Sequence, residues 1–134
     1  MADLSRLLPL ILMLALPANA ADAPMSVSEF EAFSTGKTLT YALGGEIYGA
    51  EQYLPGRKVV WAFKGEECRR GWWFEKGNEV CFIYEQDGEP QCWTFMKGAS
   101  GLRAHFAGDP DGAELAAVSE SNQPLTCAGP DLGV

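Results

Sequence analysis

The chain has 134 residues, 10 Lys and Arg against 18 Asp and Glu, and a net charge of −8 with its single histidine neutral. Phosphate backbones and anionic lipid surfaces repel such a balance, which argues against nucleic-acid binding and against adsorption to membranes. The length suits one domain with a modest core, for which covalent cross-links would be a material help.

The first twenty residues read as a secretory signal peptide, residues 1–20. A short apolar run from Leu7 to Leu16 precedes Ala18-Asn19-Ala20, a small-residue cleavage site, and Arg6 offset by Asp3 forms a weak charged start. Pro9 and Pro17 interrupt the apolar stretch, leaving about ten residues, too few to cross roughly 30 Å of hydrocarbon. Membrane attachment is therefore expected only if the leader is retained. Residues 21–134 are expected to form a single exported domain in the periplasm or the medium. In that oxidising setting Cys68, Cys81, Cys92 and Cys127 read as two disulfides.

After the leader, Ser26-Val27-Ser28-Glu29 has the form of a capping box. Phe30 and Phe33 share one face, and Gly36 is placed to end a short helix. From Lys37 onward, runs rich in Thr, Tyr, Val, Trp and Phe are separated by turn residues at strand-like spacing. The expected strands are Lys37–Leu43, Glu46–Tyr48, Lys58–Lys64, Gly71–Glu75, Glu79–Glu85, Gln91–Lys97, Gly101–Ala107 and Glu114–Glu120. Gly44-Gly45, Lys76-Gly77-Asn78 and Gln86-Asp87-Gly88 supply hairpin turns.

A three-residue loop at Lys76-Gly77-Asn78 pairs Trp72 with Phe82 and Phe74 with Val80. A two-residue turn at Asp87-Gly88 pairs Phe82 with Trp93 and Val80 with Phe95. One face of three strands then gathers these aromatic residues. Val59, Trp61 and Phe63, and later Leu102, Ala104 and Phe106, alternate with polar neighbours, so each strand has a wet and a dry side. The fold class expected is all-β: a small antiparallel meander barrel with one N-terminal helix and two disulfides, a small sandwich being the alternative. A barrel this short is filled largely by its own side chains.

Four cysteines permit three pairings. In this register Cys81 and Cys92 are diagonal neighbours on the outer face, near the limit of disulfide reach, and Cys68 with Cys127 would tie down the tail that ends at Gly129 to Val134. The rival pairing joins Cys68 to Cys92. Zinc is disfavoured because neither a CxxC spacing nor a His pair accompanies the thiols. No cofactor is expected.

His105 falls at an outward position beside Arg103 and reads as a solvated surface histidine. Acidic residues such as Glu46, Glu51, Glu66, Glu67, Glu75 and Glu85 could in principle support paired-carboxylate hydrolysis, but no local motif singles out two of them. The segment from Gly44 to Arg57 mixes Glu46, Tyr48, Glu51, Tyr53 and Arg57 in what reads as a loop, the place to build a binding rim. Trp73 reads as outward-facing. It is then either an interface anchor or a cover over the outer disulfide or beneath the helix at Phe30 and Phe33.

At Trp72-Trp73, Gly77-Asn78-Glu79-Val80-Cys81-Phe82 and Cys92-Trp93 the chain resembles a group of small exported, uncharacterised alphaproteobacterial proteins. The resemblance spans about Thr38 to Cys127, with its specific part between Cys68 and Trp93. It implies a periplasmic, lipocalin-like β-domain and brings no catalytic residues. The chain is also similar in size and style to small disulfide-bonded barrels that inhibit lysozymes, a likeness of architecture alone. The expected function is non-catalytic binding of an exported or envelope protein, and the acidic balance would suit a basic one. The alternatives are inhibition of a basic cell-wall hydrolase or carriage of a small apolar ligand.

Overall fold

A computed structural model describes residues 11–15 and 23–127. The expected cleavage site and the tail from Gly129 lie outside them. Within the expected leader, Ile11 to Leu14 are strongly exposed. Among the described residues no helix is long and apolar enough to cross a membrane.

Among the described residues a two-residue strand, β1 (Ala23–Pro24), precedes one helix, α1 (Val27–Ser34). Eight longer strands follow: β2 (Thr38–Leu43), β3 (Glu46–Leu54), β4 (Lys58–Phe63), β5 (Arg69–Lys76), β6 (Glu79–Tyr84), β7 (Asp87–Gly98), β8 (Gly101–Phe106) and β9 (Leu115–Ser121). Each pairs antiparallel with its neighbour in sequence, and β9 returns to pair with β2. The sheet thereby closes into an eight-stranded meander barrel, which removes every free edge. The barrel reading stands and the sandwich does not.

One end of the barrel is stoppered by α1. Ser26 caps the helix by accepting a hydrogen bond from the Glu29 amide at 3.1 Å, as the sequence pattern requires. Phe30, 1% exposed, then enters the barrel, stacking on Phe95 with centroids 4.1 Å apart and meeting Tyr53 and Trp73 edge-on. Just before the helix, β1 lies along β7, and the Met25 amide donates to the Phe95 carbonyl. The opposite end carries the turns at Gly44-Gly45 and Glu85-Gln86, and none of the described residues forms a helix across it.

Three features of the expected register are corrected. The β5–β6 turn holds two residues, Gly77 and Asn78, with Lys76 opposite Glu79. That one-residue difference reverses every side chain of β5. Trp73, opposite Phe82, points inward and is 4% exposed, whereas Trp72 points outward at 47%. The β6–β7 turn is Glu85-Gln86, and β7 is irregular where Pro90, which has no N–H for the ladder, falls between the pairs Tyr84↔Asp87 and Phe82↔Gln91. Because this slip is two residues, the faces are preserved, but Val80 now meets Trp93 and Cys81 meets Cys92. Finally, β3 does not stop at Tyr48. It continues to Leu54, converting the supposed rim loop into a barrel stave.

Both disulfides form as Cys81–Cys92 and Cys68–Cys127, leaving no free cysteine. Cys81 and Cys92 are directly opposite, with Cα atoms 3.9 Å apart, rather than diagonal. Cys68–Cys127 fastens the segment after β9, whose Leu125 amide donates to the Gln52 side chain of β3. Full pairing of the thiols is the chemistry of an oxidising, non-cytoplasmic compartment.

Candidate functional site

Inside the barrel, toward the end opposite α1, lies a cavity of about 70 Å³. It exists because β3 places Gly49, Glu51 and Tyr53 on the inner face, and because neighbouring strands bring Trp61 opposite Glu51 and Phe63 opposite Gly49. A Cβ at Gly49 would stand 2.5 Å from the Trp61 indole, so only glycine there lets this ring lie across the inner wall. Gly71 on β5 does the same for Tyr84: a side chain would meet the Tyr84 ring at 2.9 Å and collide with the Ile83 carbonyl.

Glu51 is the unusual residue of this interior. It is 2% exposed, and among the described residues its carboxyl is bonded by one hydroxyl, that of Tyr84, 2.9 Å from one oxygen and 3.2 Å from the other. A second pair, Tyr41 and Tyr53, share a hydrogen bond of 2.8 Å. Burial is the main cause that pushes Glu51 well above the ordinary carboxylate range, with the Tyr84 bond opposing it. Burial likewise raises Tyr41, Tyr53 and Tyr84, and the Glu51 charge adds to the effect on each. Burial thus favours the neutral form of the Glu51 acid and of the three phenols around it. The remaining lining is mainly aromatic, including Phe82, Trp93 and Phe95.

Arg69 and Gln91 also line the cavity. The Arg69 guanidinium lies 5.1 Å from the Phe63 ring centroid and 3.9 Å from Glu66, and its side chain stays 40% accessible. The site therefore has an acid within and a cation, already partnered, nearer the solvent.

The five residues expected at a binding rim and the anchor candidate Trp73 separate into three places. Tyr48, Glu51 and Tyr53 come together, lining the cavity as parts of a strand and not of a loop. Glu46 is exposed beside the Gly44-Gly45 turn. Arg57 and Trp73 belong to the helix-stoppered end: Arg57 donates twice to Glu31 of α1, at 3.0 and 3.1 Å, and covers the Trp73 ring at 4.4 Å. That pairing lowers the Glu31 carboxyl and raises Arg57, chiefly through the hydrogen bond. Arg57 has a positive φ of 59° at the end of the β3–β4 turn, which aims it back at the helix. As an outward interface anchor, Trp73 is corrected: it is core, packed under α1 at Phe30.

Tyr41, Trp61, Arg69 and Tyr84 complete the site and were not singled out by the sequence. The signal available was alternation, since Glu51 and Tyr53 share one parity and a charged residue on an inward position is costly unless it is used. His105 is not simply solvated. Its Nε2 lies 2.7 Å from Glu114, which also accepts from Arg103 at 3.2 Å, on the outer face of β8 and away from the cavity. Glu79 with Cys81 and Cys92 is the one acid-and-thiol cluster of metal-site dimensions among the described residues, and its thiols are consumed in a disulfide.

No protein-family model matches this chain, and comparison with curated proteins and with solved structures finds no match either.

Proposed function

We propose that this is a non-catalytic binding protein of the periplasm or the medium, which receives a small molecule in the barrel cavity. The observation that carries the reading is Glu51: a buried acid with a single donor, facing a small space, in an interior that could have been filled with apolar side chains. Such a group is expensive to retain as mere packing. A non-catalytic role is supported by the lining, in which Glu51 is the single carboxylate, whereas paired-carboxylate hydrolysis calls for two. At about 70 Å³ the cavity suits a ligand of a few heavy atoms, well below the roughly 300–1,000 Å³ of a drug-sized pocket.

Native mass spectrometry of the protein isolated from its own cells tests this. The expected result is a small-molecule adduct that is lost when Ala104, which lines the cavity, is enlarged by Ala104→Met. An adduct retained in full by that variant would move the binding site elsewhere.

The net charge of −8 supports a second reading, capture of a basic exported protein such as a cell-wall hydrolase. A titration of lysozyme activity with the purified protein decides it for that target; unchanged rates would remove it.

A further inference from the structure

The ligand class follows from what Glu51 lacks, given the binding reading above. An ionised carboxylate offers about four acceptor positions, and here one phenol proton serves both oxygens. With so little hydrogen bonding the buried charge is not sustained by the protein alone. Most of the surrounding side chains are aromatic, and a ring face turned to a ligand attracts cations and repels anions. Trp61 stands opposite Glu51 in the β3–β4 ladder, and Tyr53, Phe82, Tyr84 and Trp93 add further rings. The one fixed cation of the lining, Arg69, is turned to Phe63 and Glu66 and remains partly in solvent, so it does not satisfy the acid.

We propose that the cavity binds a small organic ammonium ion, its charge paired with Glu51 and enclosed by the aromatic rings. The cation supplies the missing partner for the carboxylate, and the rings take the place of its hydration shell. Because burial favours the protonated form of Glu51 in the empty barrel, binding is written as an exchange: the ammonium enters and the Glu51 proton leaves to solvent. The groups facing that exchange are Tyr41, Tyr53 and Tyr84, all held neutral, and Arg69 on the solvent side. Net uptake of charge is therefore zero, which is why a site built on a buried acid can accept a cation.

The test titrates the full oxidised protein at near-neutral pH with methylammonium and tetramethylammonium chloride, with methanol and acetate as neutral and anionic controls. The indole N–H resonances of Trp61 and Trp93 report occupancy, and the pH of a weakly buffered solution reports the proton. The expected result is saturable shifts with at least one ammonium, none with the controls, release of up to one proton per ligand, and binding at least about tenfold weaker in Glu51→Gln. Tyr84→Phe, which removes only a hydroxyl, provides an independent variant and is expected to weaken binding in the same direction. Ammonium binding unchanged in both variants, or absent from the parent, overturns the proposal. If methanol or acetate enters instead, the ammonium class falls and the binding cavity stands. If no probe and no native ligand enters, both fall.

Discussion

The Tyr84 hydroxyl donates to the Glu51 carboxyl across the barrel interior, joining β6 to β3, strands that share no ladder. The contact depends on Gly71, whose missing side chain leaves the inner face of β5 clear for the Tyr84 ring. One acid, one phenol and one glycine on three strands therefore set the position of the buried carboxyl in a mainly aromatic interior.

Glu51 makes stability depend on pH in a defined direction. Its folded pKa is raised, so above the unfolded value of about 4.3 the native state binds more protons than the unfolded chain. Its contribution is fully present below that value and is lost as pH rises toward the folded pKa. Glu51→Gln has no such dependence. Thermal unfolding of parent and variant between about pH 5 and pH 8 is expected to show the difference shifting in favour of the variant as pH rises, by up to about 1.4 kcal/mol per unit within the window. A difference that stays constant with pH would mean that Glu51 is not held protonated.

Tyr84→Phe tests the bond itself. It leaves the ring and takes away the donor to a buried acid, for which a loss of about 1–3 kcal/mol in denaturant unfolding is expected. At a pH where Glu51 is ionised, the same substitution is expected to cost less in Glu51→Gln, because a neutral amide acceptor gains less from the phenol than a carboxylate does. A double-mutant cycle measures that coupling, and a value of zero would separate the two residues energetically.

The glycines are the next check on the geometry. Gly71→Ala would drive a side chain into Tyr84 and the Ile83 carbonyl, so a loss of about 1–3 kcal/mol or more is expected. Gly88→Ala, where nothing lies within 4 Å and φ is not positive, is expected to stay within about 0.5 kcal/mol. Equal effects of the two substitutions would contradict the close packing of Tyr84.

The cross-links differ in the loop each closes, 59 residues for Cys68–Cys127 and 11 for Cys81–Cys92. Chain entropy alone assigns about 4 kcal/mol to the first and about 3 kcal/mol to the second. Guanidinium unfolding of Cys68→Ala/Cys127→Ala is expected to show the larger loss, since it also releases the segment that Leu125 docks on Gln52. The reverse order would mean that the buried packing at Cys81 outweighs loop closure.

Much of the architecture was legible because it rests on local chemistry. The Ser26 cap, the strand-turn rhythm from Thr38 and the oxidised cysteines each follow from residue types at short spacing. The site was not legible for two reasons. Gly49 reads as a break in a strand, and only the Trp61 ring of the next strand explains why a glycine is needed within one. Turn length at Gly77-Asn78 is equally undecided by composition, since two- and three-residue loops both accept these residues. With period-two side chains, that single residue settles which Trp is inside.

Trp72 and Trp73 accordingly give the last prediction. Trp73 is 4% exposed between Arg57 and Phe30, so Trp73→Ala leaves a large void under the helix and is expected to cost about 3–5 kcal/mol. Trp72→Ala, on the outer surface at 47% exposure, is expected to cost a small fraction of that. Thermal unfolding of the two variants side by side measures the orientation of β5 directly. A severe loss at Trp72 with tolerance at Trp73 would restore the three-residue turn and turn every side chain of the strand to the other face. Gly71 would then no longer face the interior beside Tyr84, so the same pair of measurements also tests the wall on which the Glu51 site rests.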